Sequence, residues 1–220
     1  LLIQSRQYET RLEKEVLDRT KELRNREEEI CLRLTTASDY RDEETGSHIR
    51  RLGLYAEKMA KAMGWSFKEV EEIRIAAPMH DIGKIGIPDS ILLKPKGLSP
   101  EEFLIIKNHT VIGSKILSGS TVAMLQMAEK IALHHHEKWN GTGYPCGLKG
   151  KDIPEPARLL AVIDVYDALV HERVYRPPIP EAEALDIMTK DKGSHFDPDI
   201  FDVFMNILPE IREIRLQVKE

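Results

Sequence analysis

Residues 66–84 read SFKEVEEIRIAAPMHDIGK, and this stretch decides the fold. Ser66 with Glu69 three positions on is a capping box, in which a hydroxyl and a carboxylate satisfy the free amides of a helix start. The apolar run that follows, through residues 73–79, carries that helix towards His80. Pro78 brings no amide proton and should distort the helix just before His80 and Asp81. Neighbours on a regular helix point roughly 100° apart, so the distortion offers these two side chains a way to converge.

The same signals recur outward from this stretch. Ser99-Pro100-Glu101-Glu102 is a second capping box with proline at the first helical position, and its helix is read as ending at His109. Further helices are expected over 121–134, over 154–170 with prolines confined to the entry, and from Asp197-Pro198 until Pro209 stops or kinks the chain. No alternating strand pattern and no internal repeat is present. The expected fold is all-α, a compact bundle of about six or more helices over residues 34–220. Residues 1–33 differ: they are dense in Glu, Lys and Arg, and free of Pro and Gly, as a long exposed helix should be. One heptad register aligns Leu2, Val16, Leu23 and Ile30, with Leu12 beside them, although Glu9, Arg19 and Arg26 interrupt the seam. Two readings stand, a coiled-coil-like linker that pairs two copies and a solvated single helix.

Composition narrows the function. Among 220 residues, 41% are apolar and 31% charged, which supports a sizeable core and excludes wholesale disorder. No apolar run approaches the roughly 18–20 residues that span a bilayer. Thirty-seven acidic against 32 basic residues, a net charge of −5, argue against a nucleic acid polymer as partner. Cys31 and Cys146 are far apart without metal-type spacing, so free thiols in a reducing cytoplasm are expected. Two loops rich in Gly and Pro, 85–100 and 139–156, each follow a His-containing helix end, where sites tend to lie.

The candidate chemistry is imidazole and carboxylate. His80-Asp81, His109 and His134-His135-His136-Glu137 stand at expected helix ends, Asp164 lies within an apolar run, and Glu44 and His48 share a helical face. Singly, each has a plain alternative: His109 as a helix cap, the three histidines as an exposed turn, Asp164 paired with Arg158. Together, five segments supplying such groups favour two or three bridged divalent ions, with Asp81 as the natural bridge. The donor set suits Fe, Mn, Zn or Co, and the lack of cysteine in it argues against a structural zinc site.

The ordered series His80-Asp81-Ile82-Gly83-Lys84, His135-His136-Glu137, Trp139-Asn140-Gly141-Thr142-Gly143-Tyr144-Pro145, Asp164-Val165-Tyr166-Asp167-Ala168-Leu169 and Gly193-Ser194-His195-Phe196-Asp197-Pro198 resembles the HD-GYP domain family, a branch of the HD superfamily of metal-dependent phosphohydrolases. The resemblance runs from about residue 35 to about residue 208. It implies a helical bundle that hydrolyses cyclic di-GMP to pGpG, in some members on to GMP, as the output domain of a bacterial signalling protein. It also implies His80, Asp81, His109, His135, His136 and Asp164 as core metal ligands. Glu44 and His48 match the added ligands of three-metal members, with iron or manganese expected, and His134 has no assigned role. Lys84 is implied as a phosphate contact, Arg173 and Arg176 as contacts to a second phosphate or a guanine edge. For this arginine pair a surface helix end is the alternative. The Gly143-Tyr144-Pro145 loop is implied to border the site and to meet diguanylate cyclase partners. A catalytically weak binding module, and a hydrolase of another cyclic dinucleotide or nucleotide, remain the alternative functions.

Overall fold

The computed structural model describes residues 2–39, 46–94, 97–171 and 178–218. Glu44, Arg173 and Arg176 lie outside these residues. The described chain is helical, and its one strand-like feature is an isolated bridge between Lys192 and Phe196. In order come α1 (Leu2–Asp39), α2 (Gly46–Ala62), α3 (Phe67–Ala76), a 3-10 segment (Ala77–Gly86) and α4 (Asp89–Leu92). Then follow α5 (Pro100–Lys107), α6 (His109–Leu117), α7 (Ala123–His134), α8 (Glu155–Val170), α9 (Glu181–Lys190), α10 (Pro198–Asn206) and α11 (Leu208–Gln217). Among the described residues no helix is long and apolar enough to cross a membrane.

Local rules account for most of these boundaries. Ser66 and Ser99 each accept the backbone amide three residues on while Glu69 and Glu102 reach back, so both capping boxes form. Pro209 sits in the first turn of α11, where its missing amide costs nothing, and α10 has already closed at Asn206. Pro78 acts as expected in kind: α3 ends at Ala76 and a tighter 3-10 helix carries residues 77–86. A 3-10 run of ten residues is long for a geometry with poorer hydrogen bonds.

One expectation is corrected. His109 does not end the helix opened at Ser99; that helix closes at Lys107, and His109 opens α6. The chain tightens at Asn108, whose amide donates to Ile105 O three residues back (3.1 Å), and the axis restarts one residue later.

Apolar faces of α2, α3, α7 and α8 make the core, with Leu52, Tyr55, Ile73, Ile131, Leu160 and Ile163 among its fully buried residues. Phe201 and Phe204 on α10, with Phe196 from the segment just before it, close the core. α1 is continuous across residue 33. Thr35 and Ser38 near its end are buried, and the Ser38 hydroxyl donates to Ile82 O (3.2 Å).

Gly83 fixes the approach of the 3-10 segment to α6. A Cβ there would lie 1.8 Å from His109 O and 2.4 Å from Gly113 N, both backbone atoms that cannot rotate away. Gly83→Ala is expected to cost about 3 kcal/mol, the upper end for overpacking, and to loosen the His109 region. Urea denaturation checks this, and an unchanged midpoint would show that the two segments separate freely.

Candidate metal centre

The centre is assembled from α2, the 3-10 segment, the start of α6, the end of α7 and the middle of α8. Asp81, His109, His135 and His136 form one group whose ligand atoms lie within 4.8 Å of one another, and His48, His80 and Asp164 form a second. Asp81 stands between them. Its Oδ1 is 3.2 Å from His109 Nε2 and 3.5 Å from His135 Nε2, while its Oδ2 is 3.1 Å from His80 Nε2. In the second group His48 Nε2 is 3.8 Å from Asp164 Oδ1.

Hydrogen bonds on the far side of each ring set the tautomers. His80 Nδ1 donates to Ala77 O (3.2 Å), His109 Nδ1 to Ile106 O (2.7 Å) and His135 Nδ1 to Ile131 O and Ala132 O (3.1 Å each). His48 Nδ1 donates to Asp167 Oδ2 at 2.7 Å. A carbonyl or carboxylate only accepts, so the proton is on Nδ1 and the neutral rings present Nε2 lone pairs inward. His109 Nε2 and His135 Nε2 consequently face each other at 3.3 Å. Both point at Asp81 Oδ1, a buried oxygen with no hydrogen-bond partner. Lone pairs crowded on one anionic oxygen repel unless a cation lies among them, so these residues fit divalent metals.

Protonation agrees with that fit. Burial would raise the Asp81 carboxyl, but its surroundings, with the Lys84 ammonium 2.9 Å from Oδ2, prevail and hold it well below the usual range. Burial lowers His135, and burial with its neighbour His135 lowers His136 well below the ordinary histidine value. The sign for stability follows directly: the unfolded chain takes up protons that these two folded rings refuse. Their contribution is therefore fully present above about pH 6.5 and is lost as pH falls below it, by up to about 1.4 kcal/mol per pH unit per ring. Metal-free protein in chelator is expected to melt at progressively lower temperature from pH 6.5 to 5. A melting temperature constant over that interval would contradict the assignment.

Three further residues hold the centre, two of which, Asp167 and Glu137, the motifs contained without showing their roles. Asp167, fully buried, receives His48 Nδ1, Arg51 Nε (2.8 Å) and Arg51 Nη2 (2.9 Å). Arg51 was not singled out in the sequence. Glu137 accepts the backbone amides of Cys146 (2.7 Å) and Leu148 (3.0 Å) and so closes the loop after α7. Arg158 does not pair with Asp164: its guanidinium is engaged by Asp197 and by Ile153 O.

Lys84, one 3-10 turn past Asp81, places Nζ 2.9 Å from Asp81 Oδ2. Tyr144 stacks on His136 with ring centroids 4.7 Å apart, and Lys107 Nζ lies 4.9 Å from the Tyr144 centroid. Gly143 permits the loop's return, because a Cβ there would stand 2.3 Å from Lys138 N. His48, His80, Asp81, His109, His135, His136 and Asp164 are thus brought together, with Lys84 and Tyr144 beside them.

Comparison with known proteins agrees. A family model described as an HD domain matches residues 15–200. A probable cyclic di-GMP phosphodiesterase of Vibrio cholerae is 44% identical over 208 residues, covering 88% of this chain and 47% of the relative. A cyclic di-GMP phosphodiesterase of Thermotoga maritima is 45% identical over 192 residues, covering 87% of this chain and 52% of the relative. A 3'3'-cGAMP-specific phosphodiesterase of Vibrio cholerae is 38% identical, with 90% and 38% covered. The chain spans about half the length of the first two of these relatives. Among solved structures, a cyclic GMP-AMP specific phosphodiesterase of V. cholerae aligns with a TM-score of 0.63 at 20% identity, over 88% of this chain and 51% of that one. An HDG"Y"P protein from Bdellovibrio bacteriovorus gives 0.58 at 23% identity, with 76% and 54% covered. At such identities the structural likeness speaks for the fold alone. Family model, fold and the ordered His and Asp motifs coincide: the chain belongs to the HD-domain family and carries its HD-GYP signature.

Proposed function

We propose that this chain is the hydrolytic domain of a cyclic di-GMP phosphodiesterase, producing pGpG and, on further cleavage, GMP. The observation that carries the reading is Asp81, one buried carboxylate facing His109 and His135 with one oxygen and His80 with the other. The names of the relatives at 44% and 45% identity support the substrate. In this reading His80, Asp81, His109, His135, His136 and Asp164 hold two divalent ions, iron or manganese, and Glu44 with His48 supplies a third position. Bound ions of this kind supply Lewis acidity and lower the pKa of a water.

The chain's own groups do the rest. Backbone carbonyls and Asp167 keep the Nδ1 protons turned away, so the lone pairs stay directed inward. Lys84 offers an ammonium group to a substrate phosphate as it enters beside Asp81, and Arg173 and Arg176 take the second phosphate or a guanine edge. Tyr144 lines the rim. Chromatography of cyclic di-GMP incubated with protein reconstituted in Mn or Fe tests the proposal. Linear product that vanishes with chelator is expected; intact dinucleotide retained under every metal condition would favour the binding module. A second reading, cleavage of 3'3'-cGAMP, is favoured by the relative of that name, and the ratio of kcat/KM on the two dinucleotides decides between them.

We also propose that residues 1–33 act as a linker that pairs two copies. Val16, Leu23 and Ile30 are more than half exposed on α1, which supports an unfilled seam. Light scattering that finds a monomer, unchanged by deleting residues 1–30, removes this idea. A diguanylate cyclase is the partner proposed for the Gly143-Tyr144-Pro145 loop, supported by the exposed Phe103 beside Tyr144, ring centroids 6.4 Å apart. A Tyr144→Ala variant that keeps both partner capture and activity reduces the loop to scaffolding. The free thiols of Cys31 and Cys146 suit a reducing, cytoplasmic setting.

A further inference from the structure

Outside the phosphohydrolase centre, a second cluster joins the end of α7 to the loop after it. His134, Glu137 and Cys146 each direct one ligand atom into a space where all three lie within 4.8 Å of one another. The placement follows from the backbone. Glu137 follows His134 by three residues at the helix end, bringing Nδ1 within 3.8 Å of Oε1. The loop then returns over Gly143, and the Cys146 amide donates to that same Oε1 at 2.7 Å, which carries the thiol back to the pair.

One group in this cluster lacks the partner that burial calls for, and another carries a charge that no basic side chain balances. Glu137 is only 2% exposed and takes the Cys146 and Leu148 amides, but among the described residues no Lys or Arg forms an ion pair with it. His134 Nδ1 is buried without a hydrogen-bond partner, since 3.8 Å exceeds hydrogen-bond reach. A buried ring nitrogen left this way is costly, and one cation beside it takes its lone pair and balances the carboxylate charge. The spacing suits it: metal–nitrogen and metal–oxygen bonds of about 2.0–2.2 Å let the two atoms stand up to about 4 Å apart on one ion.

We propose that His134, Glu137 and Cys146 form a separate binding site for a thiophilic divalent cation of the zinc type. Thiolate, imidazole and carboxylate together favour Zn²⁺ or Co²⁺ over magnesium or calcium, and three protein ligands leave a fourth position for water. No ligand is shared with the centre around Asp81, whose donors are all nitrogen and oxygen. Binding ties the end of α7, which carries His135 and His136, to the loop bearing Tyr144. Cys146 is exposed, so the ion has a direct approach from solvent.

Cobalt titration of the whole chain tests the proposal, because sulfur marks this site alone. A thiolate-to-cobalt charge-transfer band in the near ultraviolet is expected, absent in Cys146→Ser and in His134→Ala and retained in Cys31→Ser. Circular dichroism of each variant, matching the parent, establishes that the fold is intact. No band in the parent, a band surviving in Cys146→Ser, or one removed only by Cys31→Ser overturns the proposal. The readout does not depend on turnover, so it stands apart from the phosphodiesterase assay.

Discussion

Asp81→Asn is expected to reduce kcat/KM for the dinucleotide by on the order of 10³-fold, the scale of losing a preorganised charge at a reacting centre. The amide keeps the shape but not the charge, and it offers one acceptor oxygen where the carboxylate has two. Both imidazole sets therefore lose the anion, and one of them, His80 or the His109–His135 pair according to which way the amide turns, faces an NH2 instead of an oxygen. Metal content by elemental analysis should fall together with activity, because a single residue serves both groups. A variant holding its full metal complement at near-parental turnover would separate Asp81 from the centre and sink the reading built on it.

Asp167→Asn acts through His48. The asparagine presents only one oxygen to three donors, so His48 Nδ1 or the Arg51 guanidinium goes unanswered. Loss of such an outer carboxylate typically costs 10–100-fold in metal affinity or activity. Arg51, 1% exposed, is then a buried cation without its counter-ion, which costs about 3–5 kcal/mol. Thermal melting and competition against a chelator measure the two effects separately. Lowered stability with unchanged metal affinity would make Asp167 purely a partner of Arg51.

What was legible in the sequence was local. Ser66 and Ser99 announce their helices because capping is settled within four residues, and both boxes form. The interruption at Pro78 follows from a missing amide proton. The ordered His and Asp motifs named side chains on the 3-10 segment, at the end of α7 and on α8, and the family resemblance they carry added His48 on α2 and His109 on α6. Longer-range facts were not legible. Arg51 and Asp167 meet across 116 positions, and neither spacing nor periodicity ties them together. Glu137 was quoted inside a motif, but its service to the Cys146 and Leu148 amides depends on how the loop returns. His109 was misplaced because the break at Asn108 leaves almost no mark in composition; both sides of it are helical.

α1 has a mechanical consequence. At 1.5 Å per residue, its 38 residues form a shaft about 57 Å long. Near one end, the Ser38 hydroxyl is fastened to the carbonyl of Ile82, the residue directly after Asp81. The shaft is thereby tied to the peptide beside Asp81, at Gly83, whose position leaves no clearance against the His109 carbonyl.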